Sequence, residues 1–401
     1  MPTGVYISVP FCRTKCTFCN FASDVFSRSR MQIYVDRICA DIDGITGTVA
    51  DLGAEMDRAA DSIYLGGGTP STLAPPQLRQ MFQAVREQFE VAPEAEVTVE
   101  CAPGTLSSEL IETLVGCGVN RVSLGVQSFV DPESSSVGRL HTRAVVLEDI
   151  ARLRTAGISE INVDLIAGLP HQTEQSWRYS LDEAIATGVP HVSVYILEVD
   201  EDSRLGRELI AGGQRYHAHY VPDAGLTAEF YSIACERLTA AGIGQYEISN
   251  FASKGHDSQH NLKYWTRRPY VGFGVDAHSM LWRKVAAPRL GAVRFATQDS
   301  LEEFSSAAVG THGSVEDLDA ERAIEEEFFL GLRLTRGVDL REIAEEFGTA
   351  AVRRYEDAIR ESVADGLLDR DGALIALTPR GRLLSNEVFE RFISLPSERG
   401  F

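Results

Sequence analysis

The chain has 401 residues, enough for two or three domains with a full core, and 44% of it is hydrophobic. A formal net charge of −20 excludes a broad nucleic-acid footprint, which needs clustered Lys and Arg, and the lack of any run of about 18 apolar residues excludes a transmembrane helix. Seven cysteines, an odd count with no secretory leader at Met1-Pro2-Thr3-Gly4, lead us to expect a reducing, cytoplasmic setting.

The first predicted element is a strand over Val5–Val9, ended by Pro10. It feeds a loop with Cys12, Cys16 and Cys19, spaced C-x3-C-x2-C and flanked by Phe11, Phe18 and Phe21. A helix is predicted around Tyr34–Asp43. Strand two, Ser62–Leu65, runs into Gly66-Gly67-Gly68-Thr69-Pro70, and a helix over Gln77–Phe89 follows, with Leu78, Met81, Phe82 and Val85 on one face. Val97–Glu100, Arg121–Leu124, Ile161–Ile166 and Val192–Ile196 are strands three to six. Helices over Glu109–Val115, Ala144–Thr155 and Trp177–Ala186 alternate with them. This order predicts an α/β fold with a parallel sheet and right-handed crossovers. Six units rather than eight imply a partial (β/α)6 TIM-like barrel, and a doubly wound open sheet is the alternative.

The polar residues sort onto one end of that sheet. The cysteines follow strand one and the glycine run follows strand two. Glu100 ends strand three, Gln127 follows strand four, Asp164 nears the end of strand five, and Glu198 follows strand six. Parallel barrels carry their sites at the carboxyl ends of the strands.

From Arg204 to Pro222 the sequence reads as irregular. A helix is predicted over Leu226–Ala241 and a strand over Gly244–Phe251. His256–His278, rich in aromatic, basic and glycine residues, reads as a loop-built wall over a ligand. From Ser314 to Arg370 there are 16 acids against 8 arginines. Leu340, Ile343 and Phe347 share a helical face, as do Val352, Tyr355, Ile359 and Val363. A hairpin is expected over Leu367–Leu377, turning at Asp371-Gly372, with another helix near Pro379. This order predicts a small C-terminal winged-helix-like α+β domain. Its acid excess favours packing or partner docking over DNA binding. Three segments result: 1–200, a barrel; 201–310, its extension; and 311–401, the C-terminal domain.

Three close thiolates leave an inorganic centre one ligand short. Structural zinc sites close with four ligands, and iron–sulfur clusters usually use four cysteines. An iron–sulfur cluster with one open iron, a zinc site completed by a distant His, and three incidental cysteines are all compatible with the spacing. Glu100 and Asp164 would be buried carboxylates in need of partners. A cofactor with hydroxyls or an ammonium group would supply them, or else Arg121 or Arg139. Gln127 is a neutral donor and acceptor, or a cap. The imidazole of His260 can ligate iron, Tyr264 and Trp265 can cover a flat ring system, and Lys263, Arg267 and Arg268 can meet carboxylates on it. The alternative there is a loop with a buried Trp and solvated basic residues.

The C-x3-C-x2-C stretch resembles the radical S-adenosylmethionine superfamily. The Gly66–Pro70 run, Glu100-Cys101-Ala102-Pro103-Gly104, Gly125–Phe129, Asp164–Pro170 and His260-Asn261-Leu262-Lys263-Tyr264-Trp265 resemble the branch that holds the oxygen-independent coproporphyrinogen III oxidases and the haem chaperones. The resemblance spans nearly the whole chain. It implies a 4Fe-4S cluster on Cys12, Cys16 and Cys19, with S-adenosylmethionine on the fourth iron. It implies that Gly67, Gly68 and Thr69 hold the methionine moiety and that Tyr6 and Phe18 line the pocket. Glu100, Gln127, Arg139 and Asp164 match cofactor-contacting positions, with Arg143 the competing match for Arg139. The family core is a partial (β/α)6 barrel.

Within that branch the oxidases carry a long segment before the cluster and a further cysteine two residues after the third, where this chain has Phe21. Both differences point to the chaperones, in which an H-N-x-x-Y-W motif is associated with haem. The implied contacts are His260, Asn261, Tyr264 and Trp265. The implied role is haem binding and transfer to haem-accepting proteins such as respiratory enzymes, with peripheral docking at a membrane and no nucleic acid. The alternatives are a radical enzyme acting on a porphyrinogen through a 5′-deoxyadenosyl radical, and a DNA-binding regulator.

Overall fold

Strand β1 (Thr3–Val9) sets the pattern of the sheet: Val5, Ile7 and Val9 join the main core, while the alternate residues Tyr6 and Ser8 turn the other way. The computed structural model describes residues 1–284 and 291–393. The same alternation runs through β2 (Ala59–Gly67), β3 (Glu90–Cys101), β4 (Arg121–Gln127), β5 (Glu160–Ala167) and β6 (His191–Ile196), each parallel to its neighbour. The chain returns through helices α1 (Arg28–Asp51), α2 (Pro75–Gln88), α3 (Ser108–Gly116), α4 (Asp131–Ser136), α5 (Arg143–Thr155) and α6 (Glu174–Ala186). Their apolar faces meet the apolar side of the strands: Tyr34, Val35 and Ile38 of α1 share a core cluster with Val5 and Ile7. The result is the expected partial (β/α)6 barrel with a separate C-terminal domain.

The second half departs from the sequence reading. The stretch expected to be irregular forms α7 (Arg204–Ile210), because the Ser203 side chain accepts from the Gly206 N–H and caps it. A 3-10 segment over Arg215–Tyr220 follows. Helix α8 (Ala224–Ala240) starts at the Asp223 cap. The strand expected over 244–251 is broken into Gly244–Gln245 and β7 (Asn250–Ala252). Glu247 breaks it: its buried carboxylate accepts from Ser249 N–H and from Asn250 Nδ2 and turns the chain. β7 then pairs antiparallel with β6.

The segment expected to be a loop-built wall contains α9 (Gln259–Trp265) and β8 (Tyr270–Phe273). β8 lies parallel to β1, on the side away from β2. Antiparallel β9 (His278–Arg283), β10 (Ala292–Ala296) and β11 (Ser314–Leu318) extend the sheet, giving the order β11-β10-β9-β8-β1-β2-β3-β4-β5-β6-β7. Helix α10 (Leu301–Ser306) sets Phe304 against Tyr34 at 5.4 Å between ring centroids.

The C-terminal domain has its own core. Helix α11 (Ala320–Gly331) contributes Ile324 and Phe328, α12 (Leu340–Phe347) Leu340 and Ile343, and α14 (Glu356–Ala364) Ile359, with α13 (Thr349–Arg353) before it. Strand β12 (Val338–Asp339) pairs with β14 (Leu374–Leu377), which forms the expected hairpin with β13 (Leu368–Asp371). Helices α15 (Pro379–Leu383) and α16 (Ser385–Phe389) close it. Val363, expected to face inward, is 37% exposed. Ser362, three residues after Ile359 on α14, takes the buried place instead. Among the described residues no helix is long and apolar enough to cross a membrane.

Candidate functional site

Closed parallel barrels usually fill their interior with branched apolar side chains. Here the interior is polar. Ser62 and Tyr64 of β2, Thr98 of β3, Ser123 of β4, Asn162 of β5 and Ser193 of β6 occupy the alternate positions that leave valines and isoleucines for the helices. Asn162 Nδ2 donates to Ser123 Oγ at 2.7 Å and to Ser193 Oγ at 3.0 Å, so the wall is cross-linked from strand to strand. A cavity of about 40 Å³ lies inside it, bounded towards the carboxyl ends of the strands by Glu100 and Asp164.

Among the described residues those two carboxyls have no directly paired counter-ion, and Arg139, the other expected partner, acts on Asp164 only through space. Glu100 accepts from Tyr64 Oη at 2.8 Å. Burial pushes its carboxyl up to about 7, and the nearby Asp164 adds to the shift. Asp164 accepts from Ser123 Oγ at 2.9 Å and Asn162 Nδ2 at 2.7 Å, yet burial still raises it. Neither forms an ion pair among the described residues. Arg121, one of the expected partners, sits at the other end of the barrel with Glu96 at 3.0 Å and Glu160 at 3.4 Å. A pair of buried, unneutralised acids fits a ligand that brings positive charge and hydroxyls, such as a sulfonium or ammonium group on a sugar.

The cysteine loop sits over the same end. It is tied down from several sides: Thr17 N–H bonds the Val137 carbonyl at 3.1 Å, Leu205 N–H bonds the Thr17 carbonyl at 2.8 Å, and Asn20 Nδ2 donates to Asp200 at 2.7 Å. Each thiol has a polar neighbour. Thr69 Oγ1 lies 3.5 Å from Cys12 Sγ, Arg139 Nη1 lies 3.5 Å from Cys16 Sγ, and Ser23 Oγ lies 3.8 Å from Cys19 Sγ. Thr69 and Arg139 donate to their sulfurs, a setting that suits anionic sulfur in a cluster. Among the described residues no three His, Cys, Asp or Glu side chains converge on one metal ion. Phe18 packs with Val137, Leu169, Leu205 and Ala218 beneath the loop, whereas Phe21 is 61% exposed beside it.

The glycine run passes between this loop and the carboxylates. Thr69 N–H bonds the Phe11 carbonyl at 2.8 Å. A Cβ on Gly68 would meet the Val9 carbonyl oxygen at 2.6 Å, and one on Gly66 would meet Glu100 Oε1 at 2.8 Å. Gly67 has φ +93°, with its missing Cβ facing the Tyr6 hydroxyl. Gln127 takes φ +68° at a bulge in β4 and turns its amide towards Gly125. Arg139 bonds the Gly125 carbonyl. Cys12, Cys16, Cys19, Tyr6, Phe18, Gly67, Gly68, Thr69, Glu100, Gln127, Arg139 and Asp164 thus gather at one mouth. Arg143 pairs with Glu183 at 2.8 Å on the outside, and Glu198 is exposed.

Helix α9 lies at the opposite end. The Glu96 carboxylate caps it, accepting from the Gln259 and His260 N–H groups at 3.0 Å each. His260 is 1% exposed, with Nδ1 3.0 Å from Ser62 Oγ and Nε2 2.8 Å from Tyr264 Oη. Burial, with Lys263 adding to it, lowers its pKa to about 3. Both ring nitrogens are therefore engaged and the ring is neutral. Asn261 borders the interior cavity. Trp265 faces away, under the Arg333 guanidinium at 4.2 Å, and borders a groove of about 440 Å³ against the C-terminal domain. The motif's four residues do not line one pocket. Lys263 is held by Asp61 at 2.6 Å, and Arg267 by Glu326 at 2.9 Å and Glu327 at 3.0 Å, so neither is free for a ligand's carboxylates as the sequence reading had it.

The sequence reading named the residues at strand ends and missed the wall behind them: Ser123, Asn162, His191, Ser193 and Asn250. The signal was present as serine, asparagine and histidine at every second position of otherwise Val- and Ile-rich strands.

A partial parallel barrel with three cysteines on its first loop, facing buried acids, defines a radical S-adenosylmethionine superfamily protein. Residues 6–184 match the model of the Radical SAM superfamily, and residues 318–384 match that of the HemN C-terminal domain. The "Heme chaperone HemW" of Bacillus subtilis is 33% identical over 391 residues, covering 97% of this chain and 99% of that protein. Those of Lactococcus lactis and Escherichia coli are 31% and 29% identical, covering 98% of this chain and 97% and 98% of theirs. The chain belongs to the HemW family. The solved coproporphyrinogen III oxidase (HemN) of Escherichia coli superposes with a TM-score of 0.80 over 98% of this chain and 90% of that one, and at 22% identity it carries the fold alone.

Proposed function

We propose that this protein is a haem chaperone that binds haem and passes it to acceptor proteins, while a 4Fe-4S cluster and S-adenosylmethionine occupy the barrel mouth. The observation that carries the proposal is the end-to-end match to relatives named as haem chaperones. Cys12, Cys16 and Cys19 would hold the cluster, which supplies one-electron chemistry at its open iron. The thiol-side donors Thr69 and Arg139 would steady the cluster's charge. Glu100 and Asp164 would meet the cationic and hydroxyl-bearing parts of S-adenosylmethionine, with Tyr6, Phe18 and Gln127 beside them and Gly67 and Gly68 letting the backbone close in. His260, Asn261, Tyr264 and Trp265 would supply the haem contacts, with His260 and Asn261 on the barrel side of helix α9 and Trp265 on the side of the C-terminal domain. Cytoplasmic delivery to respiratory enzymes at a membrane surface completes the proposal.

Haem titration of the purified chain, followed anaerobically with the cluster reconstituted, is the test. A saturable Soret band and transfer of that haem to an apo-acceptor are expected. A band that never saturates would remove the proposal.

A second reading, a radical enzyme acting on a porphyrinogen, is favoured by the completeness of the mouth, where acids, glycines and thiols all converge. Decarboxylation of coproporphyrinogen III under reducing anaerobic conditions would install it as the main role.

A further inference from the structure

Two buried carboxylates, Glu247 and Asp164, stand at the two ends of the barrel's polar wall and set the direction of the hydrogen bonds between them. Glu247 is fully buried and accepts from Asn250 Nδ2 at 2.6 Å, which turns Asn250 Oδ1 towards Ser193. Ser193 Oγ gives its one hydrogen to that oxygen at 2.8 Å, and so accepts from Asn162 Nδ2 at 3.0 Å. Asp164 accepts from the same Nδ2 at 2.7 Å. The Asn162 amide is thereby held in one orientation, with its oxygen left to face His191.

His191 completes the arrangement. Its Nδ1 lies 2.6 Å from Asn162 Oδ1 and its Nε2 lies 2.9 Å from Tyr246 Oη. The residue is buried, and burial holds its pKa well below the ordinary value, so the ring is neutral and has one proton to give. An amide oxygen only accepts, so that proton sits on Nδ1, and Nε2 accepts from the Tyr246 hydroxyl. Tyr246 Oη accepts in turn from the Ser258 N–H at 3.3 Å, at the N-cap of α9. Turning the Asn162 amide over would set its oxygen against the Asp164 carboxylate and an N–H against another N–H. Positions inside a parallel barrel normally take branched apolar side chains, and every buried polar group costs free energy unless it is paired.

The product of this chain is a fixed Asp164. Asn162 donates to one of its oxygens and Ser123 to the other at 2.9 Å, and each oxygen keeps a further lone pair for a ligand's donor. We propose that Asn162 and His191 are positioning residues of the cofactor site, which hold Asp164 as an acceptor for the hydroxyl- or ammonium-bearing part of S-adenosylmethionine. The proposal rests on the cofactor-binding part of the reading above and deepens it. Without His191 the Asn162 oxygen loses its closest donor and the amide is free to turn. The cost then falls on a ligand that needs Asp164 in one place, since a binding side chain is only as well placed as the residues behind it.

Calorimetric titration of S-adenosylmethionine into the full-length, cluster-reconstituted chain under anaerobic conditions tests it. His191→Leu removes both ring nitrogens, whereas His191→Asn keeps an amide N–H where the Nδ1–H stood. Both are expected to melt below the wild type. Only His191→Leu is expected to lose affinity, by roughly tenfold, with His191→Asn close to the wild type. Iron content is expected to match in all three, which separates the effect from damage to the cysteine loop. Should His191→Leu fail to fold, Tyr246→Phe, which removes only the outer hydroxyl, is expected to bind severalfold more weakly, and wild-type affinity there would overturn the proposal. Wild-type affinity in His191→Leu, or equal losses in His191→Leu and His191→Asn, would overturn the positioning role while leaving the cofactor reading in place. A wild type that binds no S-adenosylmethionine would overturn both.

Discussion

Arg139 joins the fourth barrel strand to the cysteine loop: one guanidinium nitrogen lies 3.5 Å from Cys16 Sγ while the other bonds the Gly125 carbonyl. The loop's central thiol is thereby positioned by a residue that is neither a cysteine nor near it in sequence. Arg139→Ala removes the strut and the positive charge together. We expect iron content after reconstitution and desalting to fall severalfold. Arg139→Lys, which keeps charge but loses the fork, is expected to be intermediate.

Glu100 predicts a pH dependence. Its carboxyl is raised from 4.5 to about 7. The folded cofactor-free protein therefore binds this proton more tightly than the unfolded chain, and the group's contribution to stability declines as pH rises from about 4.5 to about 7. Thermal melts of Glu100→Gln are expected to lose that part of the slope. Affinity for cationic S-adenosylmethionine should move the other way, rising through pH 7 in the wild type as the carboxylate charges. Calorimetric titration that finds the same affinity at pH 6 and pH 8 would contradict this.

The close approach at Gly68 predicts a cost for one methyl group. A Cβ there would press on the Val9 and Phe11 backbones, which cannot swing aside as a side chain would. Gly68→Ala should cost about 1–3 kcal/mol, read from urea denaturation, and should loosen the cysteine loop that Phe11 begins.

Arg267 is fully buried between two glutamates of α11. Its truncation removes a buried guanidinium from both, leaving Glu326 with Arg294 at 2.7 Å. Arg267→Met is expected to cost about 3–5 kcal/mol and to separate the melting of the C-terminal domain from that of the barrel. A single unchanged transition in differential scanning calorimetry would rule this out.

His260→Ala removes the hydrogen bonds to Ser62 and Tyr264. A lower melting temperature is expected together with a weakened or shifted Soret band in the haem titration. A lower melting temperature with an unchanged band would remove His260 from the haem site.

The strand–helix alternation was legible over the first 200 residues because each strand is local and each helix has its own apolar face. Cys12, Cys16 and Cys19 stood out by their spacing, and Glu100 and Asp164 by falling at strand ends. β8 was not, since Tyr270–Phe273 pairs mainly with β1, some 260 residues earlier in the chain, and meets β9 at Tyr270 and Met280. Helix α11 was hidden by its own acids: five of its twelve residues are charged, and its buried stripe is short, centred on Ile324 and Phe328.

Helix α9 has a consequence for traffic. With Glu96, Arg121 and His260 closing one end, the barrel is a blind cup rather than a tube. What binds beneath the cysteine loop has no way through that end, so its exchange is left to the mouth and to the open edge of the sheet.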